Sequence, residues 1–426
     1  MQIPLADARG SARDRAATVR EPVYRRTHHP GLILLSAFCG SFVGFGSVVI
    51  FTFGIFLKPL TAEFGWSRSQ VSLAFTVTAL TVAFCSPFIG KLFDRFPARN
   101  IILPCVVIYG LCFASLGLLT AHYWQLLAVF VCMGIVGNGT TQLGYARVIS
   151  LWFERNRGRA LAIVMAGSGM GSVVFPPLAQ WLAIHFGWRT AYFLLGAIIL
   201  ALGLPLTAAF VHEPDERAKP NRQERAESGS LRASLLSYPF LCLLAGLMLF
   251  SLATNGLTAH LAPFLTDRGI SAIEAANVMA AMGFATLASK LMTGYLLDRF
   301  QASRTAAVLF TICASGMLLI VLGAATWSSY TGALLVGVGM GAESDAVPYL
   351  LTRYFGLGRF SELYGYTWSA YAVAGAMGPL VLGKFFDATH SYKLVLLMFT
   401  GAVAFAAVLF ASLPSYRRLG QPKVAG

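Results

Sequence analysis

Runs of apolar residues long enough to cross a bilayer alternate with short polar segments along this 426-residue chain, and the alternation occurs twelve times. About 20 consecutive apolar residues carry a helix across the hydrocarbon core. The runs lie near 32–57, 70–92, 100–120, 124–150, 158–184, 189–211, 238–266, 272–297, 303–324, 328–353, 361–386 and 392–414. They predict an all-α polytopic membrane protein with twelve transmembrane helices. One polar stretch is longer than the rest: "HEPDERAKPNRQERAESGSLR" (212–232) is charged and lacks apolar periodicity. It divides the chain into two six-helix halves, 32–211 and 238–414, joined by a linker over 212–237. The expected remainder is a disordered tail over 1–31 and a short tail over 415–426.

Composition agrees with this pattern. The chain is 57% hydrophobic and 12% charged, with mean hydropathy +0.68, too apolar for a polar surface in water. The seven cysteines fall inside apolar runs without metal-ligand spacing, so no disulfide and no metal site is expected. The net charge of +14 changes meaning once it is located. With the N-terminus cytosolic, the cytosolic segments hold 24 of the 32 Lys and Arg. The opposite loops hold Lys58, Arg68, Arg189, Arg268, Lys384 and Lys393. That is the positive-inside bias, and it removes the need for a nucleic-acid partner.

A motif repeats at half-chain spacing. "GKLFDRFPAR" begins at Gly90 and "GYLLDRFQASR" at Gly294, with Asp94/Asp298 and Arg95/Arg299 each 204 residues apart. Both copies close an apolar run at the predicted cytosolic side. The glycines are read as permitting close helix approach. The Asp side chains are read as accepting hydrogen bonds or pairing across the halves, so that the contacts hold one face shut in one state. The plainer alternative is a tight turn with ordinary positive-inside residues.

These residues resemble the signature of the major facilitator superfamily. "WFERNRGRALAIVMAGSGMG" (152–171), "FGWRTAYF" (186–193) and "YFGLGRFSELYG" (354–365) resemble its segments before spans 5, 6 and 11. A narrower resemblance is to the monocarboxylate and oxalate/formate porters, which place an Arg in span 8 four residues before the motif glycine, where it binds substrate carboxylate. Here that position is Lys290, a point charge without the bidentate fork of Arg. The stretch "HLAPFLTDRGIS" (260–271) is similar to bacterial members of the same group.

The ionisable residues at membrane depth are the candidates for chemistry, since each costs at least about 2.5 kcal/mol to insert. Lys290 lies eight residues before Asp298, about 12 Å along the helix. It either faces the central cavity and attracts an anion or snorkels to the headgroups. Glu343 and Asp345 fall in span 10, which lines the cavity in the resembled fold. They are about 200° apart on the helix, so at most one is expected to meet Lys290. That acid would be its resting counter-ion and the coupling group. His260 is a second coupling candidate, or a satisfied histidine beside Pro263. Arg147 is read as a gate partner or a snorkelling anchor. Tyr145, Asn255, Trp368 and Tyr371, with Asn138, are candidates for the cavity wall or for helix packing.

The prediction is therefore a secondary transporter of the bacterial inner membrane, both termini cytoplasmic, that moves a small mono- or dicarboxylate by alternating access. Its partners are the anion, protons and the bilayer, with a single chain as the functional unit. Proton symport is the expected coupling, and anion exchange stays open as the alternative. No cofactor and no enzymatic chemistry are expected: "GSGMGS" (167–172) lies within an apolar helix, where close packing explains it and no strand precedes it. One rival is an exporter of hydrophobic or cationic compounds, suggested by 13% aromatic residues. Another is a non-transporting nutrient sensor, which would need a longer output domain than 212–237 or 415–426.

Overall fold

A computed structural model describes residues 30–141, 144–145, 148–149, 152–153, 157–211, 231–323, 325–356 and 360–414. Among these residues ten helical stretches are long and apolar enough to cross a membrane. One of them, Arg159–Phe210, is two crossings, because Gly187 at φ 80° and ψ 155° breaks the helix. A further crossing is Thr326–Phe355, a 30-residue helix that carries Glu343 and Asp345. Span 1 is then Pro30–Phe64, span 2 Arg68–Arg95, span 3 Ala98–Leu118, and span 4 begins with Tyr123–Gly137. Spans 5 and 6 share Arg157–Phe210. Spans 7 to 12 are Tyr238–Asp267, Ala272–Arg299, Ala302–Leu322, Thr326–Phe355, Phe360–Thr389 and Lys393–Ala411.

The helix ends follow local chemistry. Span 1 stops at Gly65, which takes φ 69° and closes on the Thr61 carbonyl. Two residues later Ser67 and Gln70 form a reciprocal capping box that starts span 2. The same device recurs in the second half, where Gly269 has φ 84° and Ser271 accepts from the Glu274 amide. Gly65/Gly269 and Ser67/Ser271 are each 204 residues apart, as are Pro59 and Pro263 inside the preceding helices. The internal repeat therefore extends well beyond the Asp-Arg motif, and the glycines at these turns hold a left-handed backbone that other residues resist.

Spans 1–6 pack among themselves, as do spans 7–12, and the two groups meet where span 2 crosses span 11, span 5 crosses span 8 and span 1 crosses span 7. Small residues set these crossings. A Cβ at Gly54 would strike the Ala259 carbonyl, one at Gly283 the Ser172 backbone, and one at Gly169 the side chain of Leu287.

Candidate functional site

The surfaces of the two groups enclose a cavity of about 380 Å³. Span 5 contributes Leu161, Ala162, Met165 and Ala166, and span 8 contributes Leu287, Lys290 and Leu291. Span 10 contributes Glu343, Ser344, Asp345, Val347 and Pro348, span 11 contributes Tyr364, Thr367 and Trp368, and span 7 adds Leu247. Lys290 is the one cation among the described lining residues.

Glycine positions the charges. Gly337 and Gly341 face span 8, where added Cβ atoms would collide with the carbonyls of Met282 and Thr286. The Lys290 backbone nitrogen lies 3.0 Å from where a Cβ at position 341 would stand. This close approach sets the Thr286–Lys290 turn of span 8 against Gly341, two and four residues before Glu343 and Asp345 on span 10.

Both Glu343 and Asp345 line the cavity with Lys290, where the sequence led to the expectation that at most one would meet the lysine directly. Ser344 sits at the centre of the exposed face, so its neighbours stand about 100° to either side and both carboxylates can reach around the helix. Glu343 is 8% exposed and Asp345 is half-buried. Ser344 gives its hydroxyl back to the Gly341 carbonyl at 2.9 Å. Pro348, lacking an N–H, deprives the Ser344 carbonyl of its helical donor and leaves an acceptor on this wall.

Span 11 supplies an aromatic ladder. Trp368 stacks on Tyr371 at 5.4 Å and 13°, and lies 6.3 Å from Tyr364 at 27°. Trp368 is 48% exposed, while Tyr371 stands behind it and is not among the described lining residues. Asn255 also stays off the wall: its amide donates to the Ser251 carbonyl at 3.0 Å and packs beside Gly375.

Three other candidates stand away from this cavity. Tyr145 is fully buried within spans 1–6, its ring over Gly40 and its hydroxyl 3.3 Å from Thr207. Asn138 ties span 4 to span 2 through the Val82 carbonyl and the Ser86 hydroxyl, as packing glue. His260 is 1% exposed and belongs to a network at the far side of the inter-group contacts. Its Nε2 donates to the Pro379 carbonyl at 2.9 Å and lies 3.0 Å from the Ser72 hydroxyl. Its Nδ1 then accepts from Tyr392 at 2.9 Å.

That network was hidden in sequence because Lys58 and Arg68 read as loop charges. Both lie in helix ends and bind Asp267 of span 7, Lys58 at 2.6 Å and Arg68 through both nitrogens. Arg68 also donates to Tyr392 at 2.6 Å and lies 3.7 Å over the Phe386 ring. Asp387 of span 11 accepts the first amides of span 2, Arg68 at 3.1 Å and Ser69 at 2.9 Å, where a carboxylate complements the helix dipole. Thr76 donates to the Ala376 carbonyl at 2.6 Å, nearer mid-depth. These contacts hold the two groups together on the Arg68 side of the cavity.

At the opposite end Arg95, Asp298 and Arg299 are exposed. A Cβ at Gly294 would meet nothing within 4 Å, so the expected close approach at that glycine is absent from this conformation. Arg147 lies outside the described residues, as do the surroundings of Gly90 and the Asp94 side chain.

A twelve-crossing bundle whose two halves clamp on one side of a charged central cavity defines a membrane transporter. Residues 34–379 match the family model for the Major Facilitator Superfamily, and the chain belongs to that family. It is 26% identical over 376 residues to the uncharacterized MFS-type transporter YcxA of Bacillus subtilis (strain 168), covering 84% of this chain and 89% of that protein. It is 24% identical over 402 residues to monocarboxylate transporter 4 of Rattus norvegicus, covering 90% and 83%. In structure it resembles a bacterial homolog of the human lysosomal transporter Spinster, inward-facing and occupied, with TM-score 0.68 at 17% identity over 89% of this chain and 95% of that one.

Proposed function

We propose that this transporter carries a small carboxylate together with protons, and that Lys290 receives the carboxylate. The observation that carries the reading is the charge inventory of the cavity, one lysine flanked by two acids among the described lining residues. With all three ionised the site has a net negative charge and repels an anion. A carboxylate can settle on Lys290 once one acid takes a proton, so anion and proton enter together. Alternating access then follows from opening the Arg68 clamp on one side while the Asp298 end closes. The bias of Lys and Arg, 24 in the segments read as cytosolic against six in the opposite loops, supports a bacterial plasma-membrane orientation with the linker and both termini in the cytoplasm. The distant monocarboxylate transporters among its relatives point the same way.

The acid excess also favours a second reading, export of an aromatic cation against protons. Uptake into proteoliposomes separates the two. A panel of radiolabelled carboxylates and organic cations, offered with and without a pH gradient, is expected to show carboxylate accumulation that collapses with the gradient and with Lys290→Ala. Cation transport that survives Lys290→Ala would establish the alternative.

A further inference from the structure

We propose that the cargo is a monocarboxylate with a flat aromatic body, its carboxylate on Lys290 and its ring against Trp368. This deepens the carboxylate reading and rests on it. Three features of the cavity carry the inference.

The first is the number of charges. A dicarboxylate needs a second cation, and the other charged groups among the described lining residues are Glu343 and Asp345. A second carboxylate would be placed against like charge without a partner, whereas a monoanion leaves none of its charge uncompensated.

The second is the composition of the remaining wall. Leu161, Met165, Leu287, Leu291 and Val347 offer apolar surface from spans 5, 8 and 10. A carboxylate of two or three carbons would leave this surface in contact with water and would occupy little of the 380 Å³, a volume within the range of about 300–1,000 Å³ that accommodates drug-sized ligands. A ring fills it. Met165 adds a polarisable sulfur, which packs well at a ring edge.

The third is Trp368 itself. An exposed indole on a soluble surface is ordinary, but this one lines the cavity and is backed by Tyr371, near-parallel at 13°. The stack fixes the indole before the ligand arrives, so little conformational freedom is lost when an aromatic ligand packs on it in offset or edge-on geometry. Lys290 and Trp368 come from different helices of the same half, spans 8 and 11. The head and body of the ligand can therefore bind one half first, and span 5 of the other half, through Leu161 and Met165, closes over the ring.

The test is equilibrium binding to the purified full-length protein in detergent, with tritiated phenylacetate as the probe and unlabelled benzoate, lactate, acetate, succinate and phenethylamine as competitors. The expected order places aryl carboxylates at least tenfold tighter than lactate or acetate, with succinate no better than acetate. Trp368→Ala should bring the ratio of aryl to short carboxylate affinity close to one, a loss of roughly tenfold in phenylacetate affinity. Trp368→Phe, which keeps a ring, should restore most of the preference and shows that the Ala result is not misfolding. If lactate or succinate binds as tightly as phenylacetate, and still depends on Lys290, the aromatic body is refuted while the carboxylate reading stands. If phenethylamine displaces the probe better than benzoate, or no carboxylate binds to folded protein, both fall.

Discussion

The guanidinium of Arg68 holds the carboxylate of Asp267 at two points, Nη1 to Oδ2 at 2.6 Å and Nη2 to Oδ1 at 3.1 Å, and the two residues belong to opposite halves of the molecule. Arg68 is 12% exposed and Asp267 28%, so the pair is partly shielded from water. A charge-assisted hydrogen bond of this kind is worth about 1.5–3 kcal/mol. If the proposed opening of this side breaks the pair, its loss acts on the equilibrium between states. Asp267→Asn should shift the population toward the state open on the Arg68 side by roughly tenfold or more. Spin labels at Thr120 and Ser391, both exposed on that side, would report the shift as a growing long-distance component in electron–electron resonance. An unchanged distance distribution would show that the clamp does not contribute to closure.

Lys290 carries the second prediction. Lys290→Ala removes one charge-assisted contact, about 1.5–3 kcal/mol, and should weaken carboxylate binding roughly ten- to a hundredfold. Lys290→Arg keeps the charge and should keep a substantial part of the affinity. A side chain that merely snorkels would tolerate Ala and Gln alike, and wild-type affinity in Lys290→Ala would remove it from the site. Isothermal titration on the three variants reads this directly.

A third prediction concerns pH. If one of Glu343 and Asp345 must carry a proton before the anion binds, affinity falls as pH rises, because each step removes the proton that balances the site. In the double variant Glu343→Gln with Asp345→Asn Lys290 stands alone, so the empty site carries +1 at every pH at which the lysine is ionised and a bound monocarboxylate neutralises it without a proton. Its carboxylate affinity should become flat with pH, and uptake should no longer respond to a proton gradient while exchange of labelled for unlabelled substrate persists. The two single variants show which acid is responsible. A pH slope that survives the double substitution places the coupling proton elsewhere.

The twelve apolar runs and the Asp-Arg repeat were legible because each leaves a mark in local sequence: length or spacing. Lys290, Glu343 and Asp345 were legible for a related reason, since an ionisable residue in an apolar run stands out against its neighbours. The clamp was not. Lys58, Arg68, Asp267 and Asp387 stand at helix ends, where charge is ordinary, and only the crossing of spans 1 and 7 and of spans 2 and 11 gives them partners. Tyr145 misled for the opposite reason. Its hydroxyl suggested a cavity, yet Gly40 and Thr207 provide room and a partner inside the bundle. Trp368 could be found from sequence, but its stack with Tyr371 depends on side-chain directions along one helix face. Gly65/Gly269 and Ser67/Ser271 were visible at the same 204-residue spacing and extend the repeat to the other end of the bundle.

Two glycines on neighbouring helices should behave oppositely, and the contrast tests how the site is held. At Gly341 an added Cβ would collide with the Thr286 carbonyl and stand 2.7 Å from the Ser289 Cβ, so spans 8 and 10 would have to separate. Overpacking of this sort costs about 1–3 kcal/mol. Gly341→Ala should therefore lower the melting temperature in detergent, and by moving Lys290 away from Glu343 and Asp345 it should alter the pH dependence of carboxylate binding as well. At Gly294 a Cβ would meet nothing within 4 Å, and alanine is the better helix former. Gly294→Ala should leave the melting temperature and equilibrium affinity near wild type. Its effect is expected in turnover, if the Asp298 end closes on this glycine when the Arg68 side opens. A melting temperature unchanged in Gly341→Ala would mean that the two helices are not in the contact that positions Lys290. A turnover unchanged in Gly294→Ala would mean that the repeated glycine is no part of the closing face.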